Sequence, residues 1–448
     1  MEGKANTGEC WRFDLVYMSK NKSKKKKRRV VELFSGLGSQ AKALHNLGKN
    51  FEVVATCEWD IHAMVAYDRI HRGGELHKDT VAMKREQLLD ALKKYKLSSD
   101  CKKEISQSTL KQYSVEALRL IHSAIKSTHN KVNIKDLKGQ DLGKDIDIMT
   151  YSFPCQDLSN VGHFHGYRGG IAKGANTRSG LVWEVERILQ ERKNKQLDLP
   201  KILVLENVTS LTSEKHKDDF EKWQNSLTGL GYHNHIYKLR AQWLGSPQRR
   251  YRLIMISVYV GEAGNQALQD KIKEYFEKHP LDKEAYRKTL ALKPKTLKDA
   301  LRLDPSNPKY FVEAKASQPN DTPSRQKIWV NNRKLVDYQN GGYEFSNNVD
   351  TITTKQDRHP NAGNIYFDYE GNQKSKFRYL TPRECFLLMG FEEEDYENLK
   401  MDLDNPIVRG RSKFFTRDNL IHAAGNSIVV QILEQVFLQV FDILDWMD

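Results

Sequence analysis

Cysteine is scarce and scattered in this 448-residue chain, and no long apolar run interrupts its polar sequence. An odd number of thiols without a C-x-x-C pair argues against a disulfide framework or a structural zinc site, and favours a reducing compartment. Because no 18 consecutive residues are apolar and no signal-peptide core is present, we expect a cytoplasmic protein without a membrane span. We predict no metal site. The five cysteines are Cys10, Cys57, Cys101, Cys155 and Cys385.

Acidic residues are outnumbered by basic ones, 58 against 72, which gives a formal net charge of +14. Eight of the ten residues from Lys20 to Arg29 are Lys or Arg. Such a block repels itself, so we expect residues 1–29 to form a solvated basic tail. The excess of positive charge suits a polyanionic partner, although a basic surface without such a partner is an equal alternative.

A strand, a glycine turn and a helix are predicted in sequence from residue 30 to residue 47. Gly36, Gly38 and Ala41 satisfy the pattern G-x-G-x-x-G/A. Glycine lets the backbone approach a ligand closely, and the N-terminus of the following helix favours polar or anionic groups. This turn is a candidate cofactor site.

The strand predicted over residues 51–57 ends in an acid and an aromatic residue. Glu58 is placed to bind two ribose hydroxyls, and Trp59 offers a flat face to an adenine ring. A third acid, Asp79, could reach the adenine amino group or could equally cap a helix. The pattern predicts a nucleoside cofactor and leaves both nicotinamide and S-adenosylmethionine enzymes open. Residues 81–140 are charged and mostly helical in pattern, so they are interpreted as an insertion without chemistry.

Cys155 lies beside Pro154 in the run from Thr150 to Ser159, which follows the apolar stretch 146–149 directly and is typical of the C-terminal end of a buried strand. That edge of a parallel sheet binds ligands, so the thiol is a candidate nucleophile. Taken alone, a buried cysteine is more often a small core residue. The segment from Asn160 to Gly180 carries six glycines and is interpreted as a mobile lid or a surface loop.

Two later predicted strands carry charged residues at the ends that would lie at the same ligand-binding edge of the sheet as Cys155. Glu206 follows the apolar run 201–205 and could protonate a ring nitrogen, although a salt-bridged glutamate is the plainer alternative. Strand alternation would place Gln248, Arg250 and Arg252 on one face. A buried arginine there could hold an oxyanion or a base carbonyl and favour a cysteine thiolate.

Six motifs occur along the chain in an order that resembles that of the DNA (cytosine-5)-methyltransferase family of bacterial or phage restriction-modification type. A long insertion before Cys155 resembles a branch that includes CpG-modifying bacterial enzymes, which does not carry the target sequence over. The matching motifs are Phe34-x-Gly36-x-Gly38, Pro154-Cys155-Gln156, Glu206-Asn207-Val208, Gln248-x-Arg250-x-Arg252, Arg378–Cys385 with Met389-Gly390-Phe391, and Gly425–Val429.

The resemblance implies an α/β fold, with the Rossmann-like sheet of S-adenosylmethionine-dependent methyltransferases and a second, smaller target-recognition domain. It implies a catalytic and cofactor-binding domain over residues 30–258, with the helical insertion at about 81–140. Residues 418–448 would complete this domain, and residues 259–417 would form the recognition domain and hinge.

The resemblance also implies a mechanism in which a cytosine is flipped out of duplex DNA. Cys155 would attack C6, Glu206 would contact N3 and the exocyclic amine, and C5 would take a methyl group from S-adenosylmethionine. Arg250 and Arg252 would hold the base carbonyl and the active-site loop. The implied cofactor pocket comprises Phe34, Gly36, Leu37, Gly38, Glu58, Trp59, Asp79, Pro154, Asn426 and Ser427.

Between residues 258 and 378 the strand–helix alternation is lost, and in this family that region reads DNA bases. Gln, Arg and Lys side chains suit base edges and phosphates, although they could also only solvate a loop. The implied partner is double-stranded DNA, bound by a nucleoid-associated monomer, with a cognate restriction endonuclease as a candidate partner. The predicted DNA contacts are Gln156, Ser159, Arg178, Gln248, Thr353, Thr354, Gln356 and Arg358.

Three alternatives share part of this pattern. An RNA cytosine-5 methyltransferase would carry a Cys-Phe-Thr tripeptide in a short recognition region, and the tripeptide is absent here. A nicotinamide oxidoreductase would explain the glycine turn but not Cys155 with Glu206. A non-catalytic DNA-binding regulator could dispense with either residue, yet both are present.

Overall fold

A six-stranded, mostly parallel sheet forms the centre of the computed structural model, in the order β2-β1-β3-β4-β7-β5. The first four strands pair in parallel, and β7 is antiparallel to both of its neighbours. The structure describes residues 26–158, 170–174, 177–331, 334–336, 348–356, 358–400, 406–408 and 412–448. The strands of this sheet are β1 (Arg28–Leu33), β2 (Phe51–Cys57), β3 (Ile148–Tyr151), β4 (Ile202–Asn207), β5 (Tyr232–Arg240) and β7 (Tyr251–Tyr259).

Apolar side chains on both faces explain why the strands appear as nearly continuous hydrophobic runs. Ile202 and Val204 belong to one buried cluster, whereas Leu203 and Leu205 belong to a second. Successive residues of a strand point to opposite faces, so the sheet is covered by helices on both sides. The predicted α/β fold is confirmed.

Helices surround the sheet, and the last of them is part of its core. The stretch Arg417–Met447 is long and apolar enough to cross a membrane, but 78% of its apolar window is buried within the protein. The helices are α1 (Ser39–Asn46), α2 (Ile61–Arg72), α3 (Lys78–Val81), α4 (Arg85–Leu92), α5 (Gln107–Leu110), α6 (Val115–Ser127), α7 (Val182–Asn194), α8 (Lys217–Gly229), α9 (Gln266–Lys278), α10 (Glu284–Arg287), α11 (Leu297–Ala300), α12 (Pro308–Ala316), α13 (Pro323–Asn331), α14 (Pro382–Leu388), α15 (Glu393–Lys400), α16 (Arg417–Asn426) and α17 (Val430–Met447).

The remaining strands are short and form three small sheets. One contains β8, β10 and β11; β6 pairs with β9, and β12 with β13. They are β6 (Gln248–Arg249), β8 (Lys334–Val336), β9 (Val349–Asp350), β10 (Asn364–Tyr366), β11 (Phe377–Arg378), β12 (Pro406–Val408) and β13 (Ser412–Lys413).

Strand β1 begins at Arg28, within the range 1–29 predicted as a basic tail, and the extent of that tail stays a prediction. Arg28 is only 4% exposed and forms ion pairs with Asp147 at 3.6 Å and Asp445 at 2.8 Å. These carboxylates neutralise a charge that the sequence assigned to a solvated segment. Residues 1–25 lie outside the described residues.

Helix α9 packs on the edge strand β5, although it lies in the segment predicted as a separate recognition domain. His235 of β5 stacks on Phe276 of α9, with ring centroids 3.9 Å apart. The chain just beyond residue 258 therefore shares the core of the sheet. The domain boundaries themselves stay a prediction.

The motif that begins at Arg378 fixes α14 against its surroundings. Arg378 donates two hydrogen bonds of 2.8 Å to Glu384, and both side chains are almost fully buried. Thr381 and Glu384 form a capping box at the start of α14. Such a paired and hydrogen-bonded arrangement is the condition under which buried charges are tolerated.

Candidate active site

A cavity of about 800 Å³ opens at the C-terminal edge of the parallel strands. It collects residues that follow β1, β2 and β3, the end of β4 and the start of the antiparallel β7. Most of the predicted site residues therefore meet in one place. Those in the wall are Phe34, Gly36, Leu37, Glu58, Trp59, Pro154, Cys155, Gln156, Arg178, Glu206, Arg250, Arg252, Thr354, Arg358, Asn426 and Ser427.

The turn that carries Cys155 is fixed from both sides. Asn207 Nδ2 donates a hydrogen bond of 3.1 Å to the carbonyl of Phe153, and Ser179 Oγ donates one of 2.6 Å to the carbonyl of Pro154. Ser179 N also donates to Asp157 Oδ2 at 3.1 Å. Asn207 and Ser179 thus hold the turn that carries Cys155 in position.

A buried ion pair lies beside the thiol. Arg252 Nε is 2.9 Å from Glu206 Oε1, and these side chains are only 12% and 10% exposed. Burial raises the pKa of Glu206, and Arg252 and Arg250 oppose that rise. Burial also raises the pKa of Cys155, where Arg252 favours the thiolate and Glu206 disfavours it. Burial thus lets the Glu206 carboxyl bind a proton more readily than an exposed glutamate would, while Arg252 favours the ionised forms of both Glu206 and Cys155.

Arg250 lies in the cavity wall, where its terminal nitrogens bind backbone carbonyls. Its Nη1 donates to the carbonyl of Ile352 at 2.9 Å, and its Nη2 donates to the carbonyls of Gly425 and Ser427 at 2.9 and 2.8 Å. Burial lowers its pKa to about 9. Because both terminal nitrogens are engaged by the backbone, Arg250 joins three segments around the cavity, and Arg252 is the arginine paired with Glu206.

The glycine turn is organised by Glu58. Its carboxylate accepts hydrogen bonds from the backbone N–H of Gly36 at 3.0 Å and of Asp60 at 2.9 Å. Burial, reinforced by the charge of Asp60, raises the pKa of Glu58 to about 7. The carboxylate is a strong acceptor at the mouth of the turn, where a hydroxyl-bearing ligand could replace a backbone donor.

Gly38 precedes α1 and has a φ of +74°. It does not line the cavity. A Cβ there would lie 2.4 Å from His71 Nε2 and 2.5 Å from Tyr67. The second glycine of the motif is thus required by close packing against α2 as well as by its backbone conformation. In this structure it shapes the turn without lining the cavity.

Asp79 does not lie at the cavity, contrary to the prediction. Its side chain is about half exposed in α3 and is 3.5 Å from Lys126. Asn133 and Ile134, which precede β3 closely in the chain, line the cavity instead. No local pattern distinguishes these two residues, since they belong to an irregular segment at the end of the insertion.

The insertion contributes to the site, although the sequence indicated no chemistry there. Residues 99–102 line the cavity. Cys101 Sγ donates to Asp60 Oδ2 at 3.2 Å, and the Cys101 carbonyl accepts from Arg178 Nη1 at 2.7 Å. Arg178 thereby links the insertion to the segment that supports Cys155.

Two of the predicted DNA contacts are interior residues. Gln248 is fully buried, donates to the carbonyl of Leu388 at 3.2 Å and accepts from Ile352 N at 3.0 Å. Gln356 is also fully buried and bonds Ala362 N and the Gly363 carbonyl. Both amides are engaged by the backbone, so neither presents a group to DNA in this conformation.

The other predicted DNA contacts differ in position. Thr354 and Arg358 lie in the cavity wall, whereas Thr353 packs beside Gly425, where a Cβ would meet the Thr353 backbone carbon at 2.5 Å. Ser159 lies outside the described residues.

Solved structures share the fold of the chain. The Dnmt2 methyltransferase of S. pombe matches with a TM-score of 0.56 and 16% identity, over 94% of this chain and 100% of that one. The Entamoeba histolytica methyltransferase EhMeth matches with a TM-score of 0.52 and 13% identity, over 94% and 99%. At these identities the likeness concerns the fold alone.

Sequence relatives identify the family. The "Orphan methyltransferase M.SssI" of Spiroplasma monobiae is 32% identical over 429 residues, covering 94% of this chain and 98% of the relative. The "Type II methyltransferase M2.ScrFI" of Lactococcus lactis subsp. cremoris is 28% identical, over 92% and 99%. Residues 91–442 match the family described as "C-5 cytosine-specific DNA methylase". The chain therefore belongs to the C-5 cytosine-specific DNA methylase family and is a DNA (cytosine-5)-methyltransferase.

Proposed function

We propose that the enzyme methylates a flipped-out cytosine through a covalent bond between Cys155 and C6. The observation that carries the proposal is the meeting of the Cys155 thiol, the Glu206 carboxyl group, whose pKa is raised, and Arg252 in a single cavity. A base inside a duplex cannot reach such a recess, so it must be turned out of the stack.

Each residue then has a defined part in the reaction. The Cys155 thiolate forms a bond to C6, and the electron pair of the C5–C6 double bond moves through the ring towards N3. Glu206 donates its proton to N3, which avoids a full negative charge on the ring. After C5 has gained a methyl group, its proton leaves to water, the returning electron pair expels the Cys155 thiolate, and N3 gives its proton back to Glu206.

The residues around the glycine turn fit S-adenosylmethionine. The cavity is large enough for a nucleoside, Glu58 offers a carboxylate to ribose hydroxyls, and Trp59 offers an aromatic face to adenine. Ile134 adds an apolar surface, while Asn426 and Ser427 lie in the same wall. When bound, S-adenosylmethionine supplies an electrophilic methyl group at C5.

The segment between residues 259 and 417 is proposed to select the target DNA sequence. Gln156, Arg178 and Arg358 are proposed to contact DNA at the mouth of the cavity. The relatives include one named orphan and one named type II. A cognate endonuclease is therefore a candidate partner. A monomeric state and a nucleoid-associated cytoplasmic location are also part of the proposal. Bisulfite sequencing of plasmid DNA from expressing cells would give the methylated context directly.

A mechanism-based trap tests the covalent step. Duplex DNA with 5-fluorocytosine at the target should form a stable adduct on Cys155 in the presence of S-adenosylmethionine, because fluorine at C5 prevents elimination. Matched DNA with ordinary cytosine should be methylated and leave no adduct. Cys155→Ser should give neither product while still binding the cofactor. Methylation by this variant, or the absence of an adduct at a methylated site, would contradict the mechanism.

A further inference from the structure

Two arginines and two aromatic rings form an unusual surface at the outer edge of the sheet. The Arg240 guanidinium lies 5.5 Å from the centre of the Trp243 ring and 5.1 Å from that of Tyr251. The Arg287 guanidinium lies 4.3 Å from the Trp243 ring. The Trp243 and Tyr251 rings themselves are 6.3 Å apart, edge to face. These four residues are called the arginine–aromatic surface below.

The arginine–aromatic surface lies close to the active site in the fold. Arg240 is the last residue of the edge strand β5, and it pairs with Tyr251 at the start of β7. Tyr251 stands between Arg250 and Arg252, both of which line the cavity. The surface therefore occupies the same edge of the sheet as the cavity, one strand further out.

The positive charge of this surface is only partly offset by the protein, since Lys288 and, to a smaller extent, Arg287 lower the pKa of Glu284. Within the part of the chain that the structure describes, no carboxylate forms an ion pair with Arg240 or Arg287. Arg287 Nη1 donates to the carbonyl of Leu281 at 3.1 Å, and Arg240 is exposed. Neighbouring cations behave differently, since Arg249 pairs with Asp350 at 3.5 Å and Lys288 with Glu284 at 2.9 Å.

We infer that the arginine–aromatic surface binds the phosphate backbone of substrate DNA on one side of the flipped cytosine. Aromatic rings beneath a guanidinium restrict its orientation and leave its N–H edge for a planar, bidentate contact with phosphate. Phosphate contacts of this kind fix the register of a protein on a duplex without reading its sequence. The inference rests on the proposed function, because it uses the same DNA substrate.

The salt dependence of DNA binding tests the inference. Arg240→Gln and Arg287→Gln should each weaken binding of duplex DNA several-fold, and each should reduce the slope of log affinity against log salt by about 1. The KM for DNA should rise while single-turnover methylation at saturating DNA stays close to wild type. Lys278→Gln is the matched control, since it removes a positive charge of α9 that is already paired with Glu274, and it should leave the slope unchanged.

The outcomes separate this inference from the proposed function. If both arginine variants keep the wild-type slope and the parent enzyme methylates DNA, phosphate binding by the arginine–aromatic surface is refuted and the proposed function is not. Weaker binding without a change of slope would also overturn it, because no phosphate contact would have been lost. A reduced slope in variants of an enzyme that forms no Cys155 adduct would support the surface and refute the covalent mechanism. Thermal unfolding of each variant checks that the fold persists.

Discussion

Replacing Glu206 with Gln should have opposite effects on the thiol and on the reaction. The change preserves the shape of a side chain that is 10% exposed but removes its charge from Arg252 Nε, which is 2.9 Å away. Two unit charges at that distance attract by about 6 kcal/mol at an effective dielectric constant of about 20, before desolvation is counted. In the variant, the arginine charge acts on Cys155 without this opposing carboxylate.

The thiol should therefore become more reactive. The Glu206 carboxylate raises the pKa of Cys155 whereas Arg252 lowers it, so removing the carboxylate lowers that pKa and increases the thiolate fraction at a given pH. Alkylation of Cys155 by iodoacetamide at pH 8, followed by mass spectrometry, should be faster than in wild type. Methyl transfer should nonetheless fall by about 10²–10⁴-fold, the usual contribution of a positioned proton donor, or about 3–5 kcal/mol.

A surface pair provides the control for this experiment. Glu184→Gln removes a carboxylate from Arg187, which lies 2.7 Å away on α7, outside the cavity wall. It should change neither alkylation nor methylation. Single-turnover methylation by Glu206→Gln within threefold of wild type, or slower alkylation of its thiol, would refute the roles assigned to the buried pair.

Three further predictions concern the walls of the cavity. Gly38→Ala should lower the free energy of unfolding in urea by about 2–4 kcal/mol, because the new methyl group would overlap Tyr67 and His71 in a left-handed backbone conformation. Arg250→Lys should cost about 3 kcal/mol in the same assay and reduce activity, since one ammonium cannot reach three carbonyls as the guanidinium fork does. S-adenosylmethionine affinity, measured by calorimetry, should fall by up to about tenfold per pH unit below about 7, where Glu58 gains a proton, and Glu58→Gln should bind weakly without this dependence.

Three of the predicted site residues that line the cavity share one local signal. Glu58 and Cys155 come shortly after strands β2 and β3, and Glu206 is the last residue but one of β4. A parallel sheet brings the ends of such strands together whatever the rest of the chain does. The position of these residues therefore depends on the strand and its direction, both of which the apolar pattern predicts.

Whether a polar residue next to a strand is buried or lies in the cavity wall depends on the segments that cover it. Alternation predicted a common face for Gln248, Arg250 and Arg252, but it gave no indication that Ile352 and α14 would cover that face. Gln248 is consequently enclosed, whereas Arg252 remains in the cavity wall. The covering segments lie more than a hundred residues away in the chain, so only the tertiary structure decides which polar residues are interior.

Backbone strain is a further property that sequence patterns did not predict, and among the described residues other than glycine, three of the six with positive φ line the cavity. Phe34, Cys101 and Val132 all have positive φ, at 56°, 55° and 65°, and all three line the cavity. This conformation is costly for a β-branched residue and persists only where the surroundings enforce it. Hydrogen bonds from Val132 N to Asn130 Oδ1 and from Arg178 to the Cys101 carbonyl supply that constraint. Cys101 therefore depends on the distant Arg178, whereas Val132 depends on a neighbour, Asn130, whose side chain is itself held by the Glu58 backbone at 3.0 Å from Glu58 N and 2.9 Å from the Glu58 carbonyl. The shape of the pocket is thus set by the assembled fold as well as by local turns.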